Sequence, residues 1–338
     1  MQLRRNATKW WVGFFVLSAV FVLLFTANSA ASPRDKKKVL AQAHYMMGLF
    51  YENQEKFEEA LTEYKEALRF EKGVSSIHVR VAAILIRRGQ TAKAILELEE
   101  AKKYGPENLE AGLMLALLYA TENSSDKAAK EYEEVLKKAA QQEPKNTDIL
   151  KNLAVLYYQQ KKTDNAIETY KLILSIDKND YEAIFLFGSL LEEAGKRQEA
   201  IEKFKEALSL NPEYPDALNS LGYVYAEEGI YLAEAEELIK KALLLEPDNG
   251  AYVDSLGWVY FKMGLIDRAV EYLEKAGSLL SDPVIYDHLG DAYFKKGEND
   301  KAVSNWEKSL SIDATQEKVK GKLKARAPLE ISNNSEKD

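Results

Sequence analysis

An all-α repeat fold follows from three features of this 338-residue sequence. A set of small, aromatic and aliphatic residues recurs about every 34 residues. Within each recurrence the apolar positions step at the helical period of 3.6 rather than the strand period of two. Short polar turns such as "EEAGKRQ" and "FKKGEND" break each unit into two helical halves.

Numbering positions from 1 in each unit, residues 41–74 carry Gly48, Tyr51, Ala60, Tyr64 and Ala67 at offsets 8, 11, 20, 24 and 27. In 75–108 the same offsets give Ala82, Leu85, Ala94, Leu98 and Ala101, with Pro106 at offset 32. The third unit, 109–146, has Ala116, Tyr119, Ala128 and Tyr132, and the fourth, 147–180, has Ala154, Tyr157, Ala166 and Tyr170. In 181–214 stand Gly188, Leu191, Ala200, Phe204, Ala207 and Pro212. The sixth, 215–249, has Gly222 and Tyr225, then Ala235 and Ala242 one place late. Gly257, Tyr260, Ala269, Leu273 and Ala276 mark 250–282, and Gly290, Tyr293, Ala302 and Trp306 mark 283–316.

Small residues at offsets 8 and 20 let two helix backbones approach, and large apolar ones at 4, 7, 11 and 24 fill the space between them. One such pair cannot bury its apolar face alone, so neighbouring units must stack. The pattern resembles the tetratricopeptide repeat (TPR) family, and the resemblance covers residues 41–316. It implies a right-handed superhelical solenoid of about eight helix-turn-helix repeats, whose first helices line a groove with offsets 2, 5, 9 and 12.

The two ends differ from the repeats. Arg4, Arg5 and Lys9 precede an uncharged apolar run, Trp10–Ala27, followed by the small residues of "ANSAASP". Residues 1–31 therefore read as a signal peptide or a signal anchor, and 32–40 as a linker. Residues 317–327 read as a short basic helix in which Val319 and Leu323 cover the last repeat, and 328–338 as a disordered tail. Net charge is −8 over the chain and −14 over residues 39–338. That acidity argues against a nucleic-acid backbone as partner. With no cysteine, the chain has no disulfide, no thiolate metal site and no lipid-attachment cysteine.

Catalytic chemistry finds little support. His44 and His78 both fall at offset 4, a packing position, and His288 stands beside Asp287 and Asp291 but is turned about 100° from them. No phosphate loop or nucleophile motif is present. The reading is a non-enzyme without cofactor or metal.

Function then rests on surface shape. The groove offsets implied by the resemblance collect aromatic and acidic residues in the last three units: Tyr223, Asp254, Trp258, Phe261, Asp287, Asp291 and Phe294, with Lys262 and Lys295 alongside. Rigid rings rimmed by charge suit a peptide-binding hot spot. Leu256, Gly257 and Tyr260, on another face of the same helix, are assigned to packing. The lysine–asparagine clamp of some TPR chaperone adaptors is not reproduced, because Val155 follows Lys151 where asparagine is expected. The stretch "AYVDSLGWVYFKMG…DPVIYDHLGDAYFKKG" is similar to bacterial envelope TPR proteins, including lipoprotein adaptors that dock a periplasmic protease. The expectation is an adaptor in the periplasm or cell envelope, exported or membrane-tethered by its N-terminal segment. Its partner is a protein or peptide with a basic segment. The alternatives are a self-associating envelope scaffold and a membrane-anchored adaptor facing the cytosol.

Overall fold

The computed structural model describes residues 32–325. The apolar signal or anchor segment within 1–31 and the tail 328–338 lie outside the described residues. Among the described residues there are seventeen helices and no strand. Repeat one is the hairpin α1 (Pro33–Asn53) and α2 (Phe57–Phe70), repeat two α3 (Ser75–Arg87) and α4 (Thr91–Tyr104). Repeat three pairs α5 (Leu109–Thr121) with the longer α6 (Ser125–Gln142), and repeat four contains α7 (Thr147–Gln159) and α8 (Thr163–Ile176). Then come α9 (Tyr181–Glu193) with α10 (Arg197–Leu210), and α11 (Pro215–Glu228) with α12 (Leu232–Leu245). The last repeats are α13 (Gly250–Lys262) with α14 (Ile266–Leu279), and α15 (Pro283–Lys296) with α16 (Asn299–Ile312), followed by α17 (Glu317–Lys324).

The chain divides into two compact units, and the division falls inside α7, between Leu156 and Tyr157. In the first unit α2 packs on α3 and α4 on α5, around the fully buried Tyr64, Ile84, Leu98 and Leu115. In the second unit each hairpin from α9 onward packs on the next, and α17 rests on α16 with Val319 wholly buried.

The expected linker at 32–40 is instead helical from Pro33. Ser32 caps it, its hydroxyl accepting from the Asp35 amide at 3.1 Å, and proline sits at the start of the first turn. A Ser-Pro opening with an early acid is a strong helix start, so α1 begins eight residues ahead of the repeat pattern. Other first helices use the residue just before the unit in the same way. Asn108, Asp180, Asn249 and Asp282 each accept from a backbone amide of the first turn.

Six of the alanines at offset 20 are sealed, Ala60, Ala94, Ala166, Ala200, Ala269 and Ala302 having no exposed surface, while Ala128 of the third repeat is only partly buried. The small residue at offset 8 faces the large one at offset 24. A Cβ built on Gly257 would lie 2.8 Å from Leu273 Cγ and 3.2 Å from the Leu273 backbone nitrogen. Each repeat also turns through one left-handed residue at offset 15. Five of the eight are glycine, including Gly264 at φ 77°, and the others are Glu55, Asn123 and Lys161. Repeat six adds a second, Tyr231 at φ 48°, where one extra residue delays its second helix.

Two substitutions separate these roles. Gly257→Val overpacks the hairpin and should cost about 1–3 kcal/mol in denaturant unfolding. Gly264→Ala meets no atom within 4 Å, yet should still cost about 1–2 kcal/mol because its backbone is left-handed. An unchanged midpoint in either variant contradicts the corresponding role.

Candidate functional site

The first helices α11, α13 and α15 pack side by side in the second unit and bring the candidate residues together. They do not all face solvent. Trp258 is only 7% exposed and Asp254 and His288 only 6% each. The His288 ring stacks on the Trp258 indole at 4.0 Å between centroids and 14° between planes. Trp258 stacks in turn on Phe261 at 4.7 Å and 7°. Behind them His288 Nδ1 meets the two Asp254 oxygens at 3.1 and 3.0 Å. Tyr223, half-buried on α11, closes the group with its ring 6.4 Å from His288.

This corrects the expectation that Asp254 and Trp258 project into an open groove. The next repeat's first helix covers them, and α15 supplies the histidine that makes burial tolerable. A buried carboxylate without a partner would cost several kcal/mol. The Trp258 Nε1–H donates to Glu227 at 2.5 Å, so the indole is also polar-satisfied. Lys262 does not flank Asp254; its ammonium lies 5.0 Å over the Trp258 ring and donates to the Glu227 carbonyl oxygen at 3.2 Å.

Asp287 and Asp291 are also engaged within the chain. Lys322 of α17 donates to Asp287 at 2.6 Å and to Asp291 at 2.7 Å, and Trp306 Nε1 donates to Asp291 at 3.1 Å. Burial raises the Asp291 carboxyl above its ordinary value, with Lys322 opposing the shift. The partly open members of the group are therefore Tyr223, Phe261 and Phe294, the last 49% exposed. Nearby Glu192 is pushed upward mainly by burial, with Arg197 opposing and Glu193 and Glu227 adding to the shift.

His44 and His78 share one arrangement in the first unit. Each Nδ1 lies 2.7 Å from a glutamate of the same repeat's second helix, Glu63 and Glu97. Their rings stack on Phe70 and Tyr104. His78 Nε2 also meets the Lys72 carbonyl oxygen at 2.9 Å, so acceptors face both ring nitrogens and suit the charged imidazolium. Among the described residues no group of histidines and acids is placed to hold a metal ion.

Profiles described as tetratricopeptide repeat match residues 41–73, 82–144, 133–186, 254–279 and 284–316, and one described as TPR repeat matches 188–229. The chain belongs to the tetratricopeptide repeat family. No curated protein matches it. Among solved structures, this TPR chain is similar to the anaphase-promoting complex hetero-tetramer Cut9–Hcn1, at 19% identity and a TM-score of 0.55, over 89% of this chain and 58% of that one. A tetratricopeptide repeat protein from Parabacteroides merdae ATCC 43184 matches at 18% identity and a TM-score of 0.46, over 84% and 97% of the two chains. TTC0263, a thermophilic TPR protein of Thermus thermophilus, matches at 22% and 0.48, over 53% and 97%. The Cut9–Hcn1 likeness supports the TPR fold alone.

The buried pair makes stability depend on pH with a definite sign. Burial alone favours the neutral His288 ring, but the Asp254 carboxylate outweighs it, with Asp287 and Asp291 adding at longer range. The His288 pKa is therefore raised, and the folded chain holds a proton that the unfolded chain releases. The pair's contribution is complete below about pH 6.5, the unfolded value, and is lost as pH climbs through the raised folded value. Raised His78 acts with the same sign in the first unit. Melting temperature should therefore fall as pH increases above about 6.5, and His288→Gln should flatten part of that fall. His288→Ala strands Asp254 and should cost about 3–5 kcal/mol at neutral pH. A steeper fall in the glutamine variant, or no loss of stability in the alanine one, contradicts the charged pair.

Proposed function

We propose that the chain is a non-catalytic protein-interaction scaffold that holds a protein or peptide partner on the first-helix face of repeats six to eight. One observation carries this reading. The half-open rings Tyr223 and Phe261 and the exposed Phe294 sit on three packed first helices, in acidic surroundings. Partly exposed rings held rigid by stacking offer binding area at little cost in side-chain entropy. The Trp258 and His288 rings beneath Phe261 supply that rigidity. The acidic surroundings favour a basic segment in the partner.

The proposed location is the bacterial envelope, by export or by an N-terminal anchor. The uncharged run Trp10–Ala27, preceded by basic residues and followed by small ones, supports it. Among the described residues no helix is long and apolar enough to cross a membrane.

A photoreactive phenylalanine analogue in place of Phe294 tests the face, with Leu244 of α12, 82% exposed, as the control position. The expected result is a discrete adduct of the full-length chain with another protein from position 294 and not from 244. Equal labelling from both positions overturns the face, and an adduct of twice the chain's mass supports self-association instead. For location, the repeats should resist protease in intact cells and become digestible once the outer envelope is opened. Digestion only after the inner membrane is breached contradicts envelope placement.

A further inference from the structure

The basic helix α17 reaches onto the candidate face. Counted on from the eighth unit, it opens a ninth at Glu317, and Lys322 falls at offset 6, where His288 falls in the eighth. Each of these cations pairs with the aspartate at offset 5 of the preceding first helix, His288 with Asp254 and Lys322 with Asp287. Lys322 Nζ also donates to Asp291 at 2.7 Å and lies 5.9 Å from the centre of the Trp306 ring. Phe294 tilts against the same indole at 5.8 Å. A lysine of the chain itself therefore sits beside the most open ring of the proposed binding face.

The two helices that supply these cations are held differently. Helix α15 has fourteen residues, buries seven of them and is backed by α16. Helix α17 has eight and buries only Val319, with Leu323 half-buried. Exposed Lys324 stands at offset 8, where a closely packed hairpin needs a small residue. An eight-residue helix is marginal by itself, and one with so little buried surface belongs to the low-stability end of a structure. The site beneath it is more demanding. Asp287 and Asp291 are neighbours on one face of α15, burial raises the Asp291 carboxyl, and Lys322 opposes that shift. Such a pair favours an adjacent cation, whether α17 or another chain supplies it.

We propose that α17 is an internal occupant of the binding face, its Lys322 holding the Asp287–Asp291 pair until a basic segment of the partner displaces the helix. This rests on the binding-face reading above and adds its regulation, since the free chain blocks its own eighth repeat. An apolar segment would reach Phe294 but leave the two carboxylates without a cation. An acidic segment would meet two like charges.

A fluorescein-labelled peptide of the chain's own sequence, EKVKGKLKAR, stands in for the basic segment, and a shuffled peptide of equal composition controls for bulk charge. Anisotropy titrations use the full-length chain. Lys322→Gln removes the internal cation and should tighten binding of the ordered peptide about tenfold, the effect of hydrogen bonds to a charged group. The shuffled peptide should gain little. Lys322→Arg keeps the charge and should bind as weakly as the unaltered chain. Adding Asp287→Asn and Asp291→Asn to Lys322→Gln should erase the gain. Unchanged or weaker binding to Lys322→Gln, or an equal gain by the shuffled peptide, overturns the proposal. Far-UV circular dichroism separates release of α17 from loss of fold, and a gain that accompanies general loss of helix also counts against it. Adducts from position 294 without tightening would leave the binding face standing and remove only the self-blocking. Tightening without such adducts would do the reverse.

Discussion

Everything in this chain rests on how closely two helices of a hairpin can approach. The small residue at offset 8 and the alanine at offset 20 bring the backbones together, and one large side chain at offset 24 fills what remains. Gly257 against Leu273 and Gly290 against Trp306 show the same contact with different fillers. The contact is local to a repeat and sets the geometry of its hairpin, while stacking on neighbouring repeats buries the rest of its apolar face. The left-handed residue at offset 15 then sets the turn, by glycine in five repeats and by a strained residue in three.

On this scaffold the second unit places a charge where an apolar contact would serve. Asp254 and His288 lie 34 residues apart, one repeat, and join adjacent first helices through an ion pair that solvent barely reaches. Such a pair is a poor source of net stability compared with well-packed apolar residues, although breaking it is expensive. Its value here is orientation. The His288 ring lies flat on Trp258, Trp258 lies flat on Phe261, and the outermost ring meets the surroundings in one fixed attitude. The terminal helix adds a second tie, with Lys322 bridging Asp287 and Asp291.

The repeats are legible in the sequence because their determinants recur at fixed spacing inside one hairpin. The residues of the candidate site are legible too, but not their arrangement. A helical angle says which side of α13 Asp254 and Trp258 occupy; it does not say how far α15 overlaps that side. The near neighbours of His288, Asp287 and Asp291, point elsewhere, while its true partner comes from the preceding repeat. A repeat count that begins at residue 41 passes over the start of α1, although Ser32 and Pro33 carry the capping signal. Lys322 reads as part of a basic cap, and nothing local to that helix marks the two aspartates it reaches.

The central claim is that a buried, protonated His288 organises the binding face. With only three histidines in the chain, carbon-13 labelling of the imidazole Cε1 position gives a spectrum that three single variants can assign. A pH titration of the full-length chain by this means reads the His288 charge directly. The account predicts a midpoint above the ordinary histidine value of about 6.5, lowered when Asp254→Asn removes the carboxylate charge. A His288 ring that is already neutral below about pH 6 would contradict it.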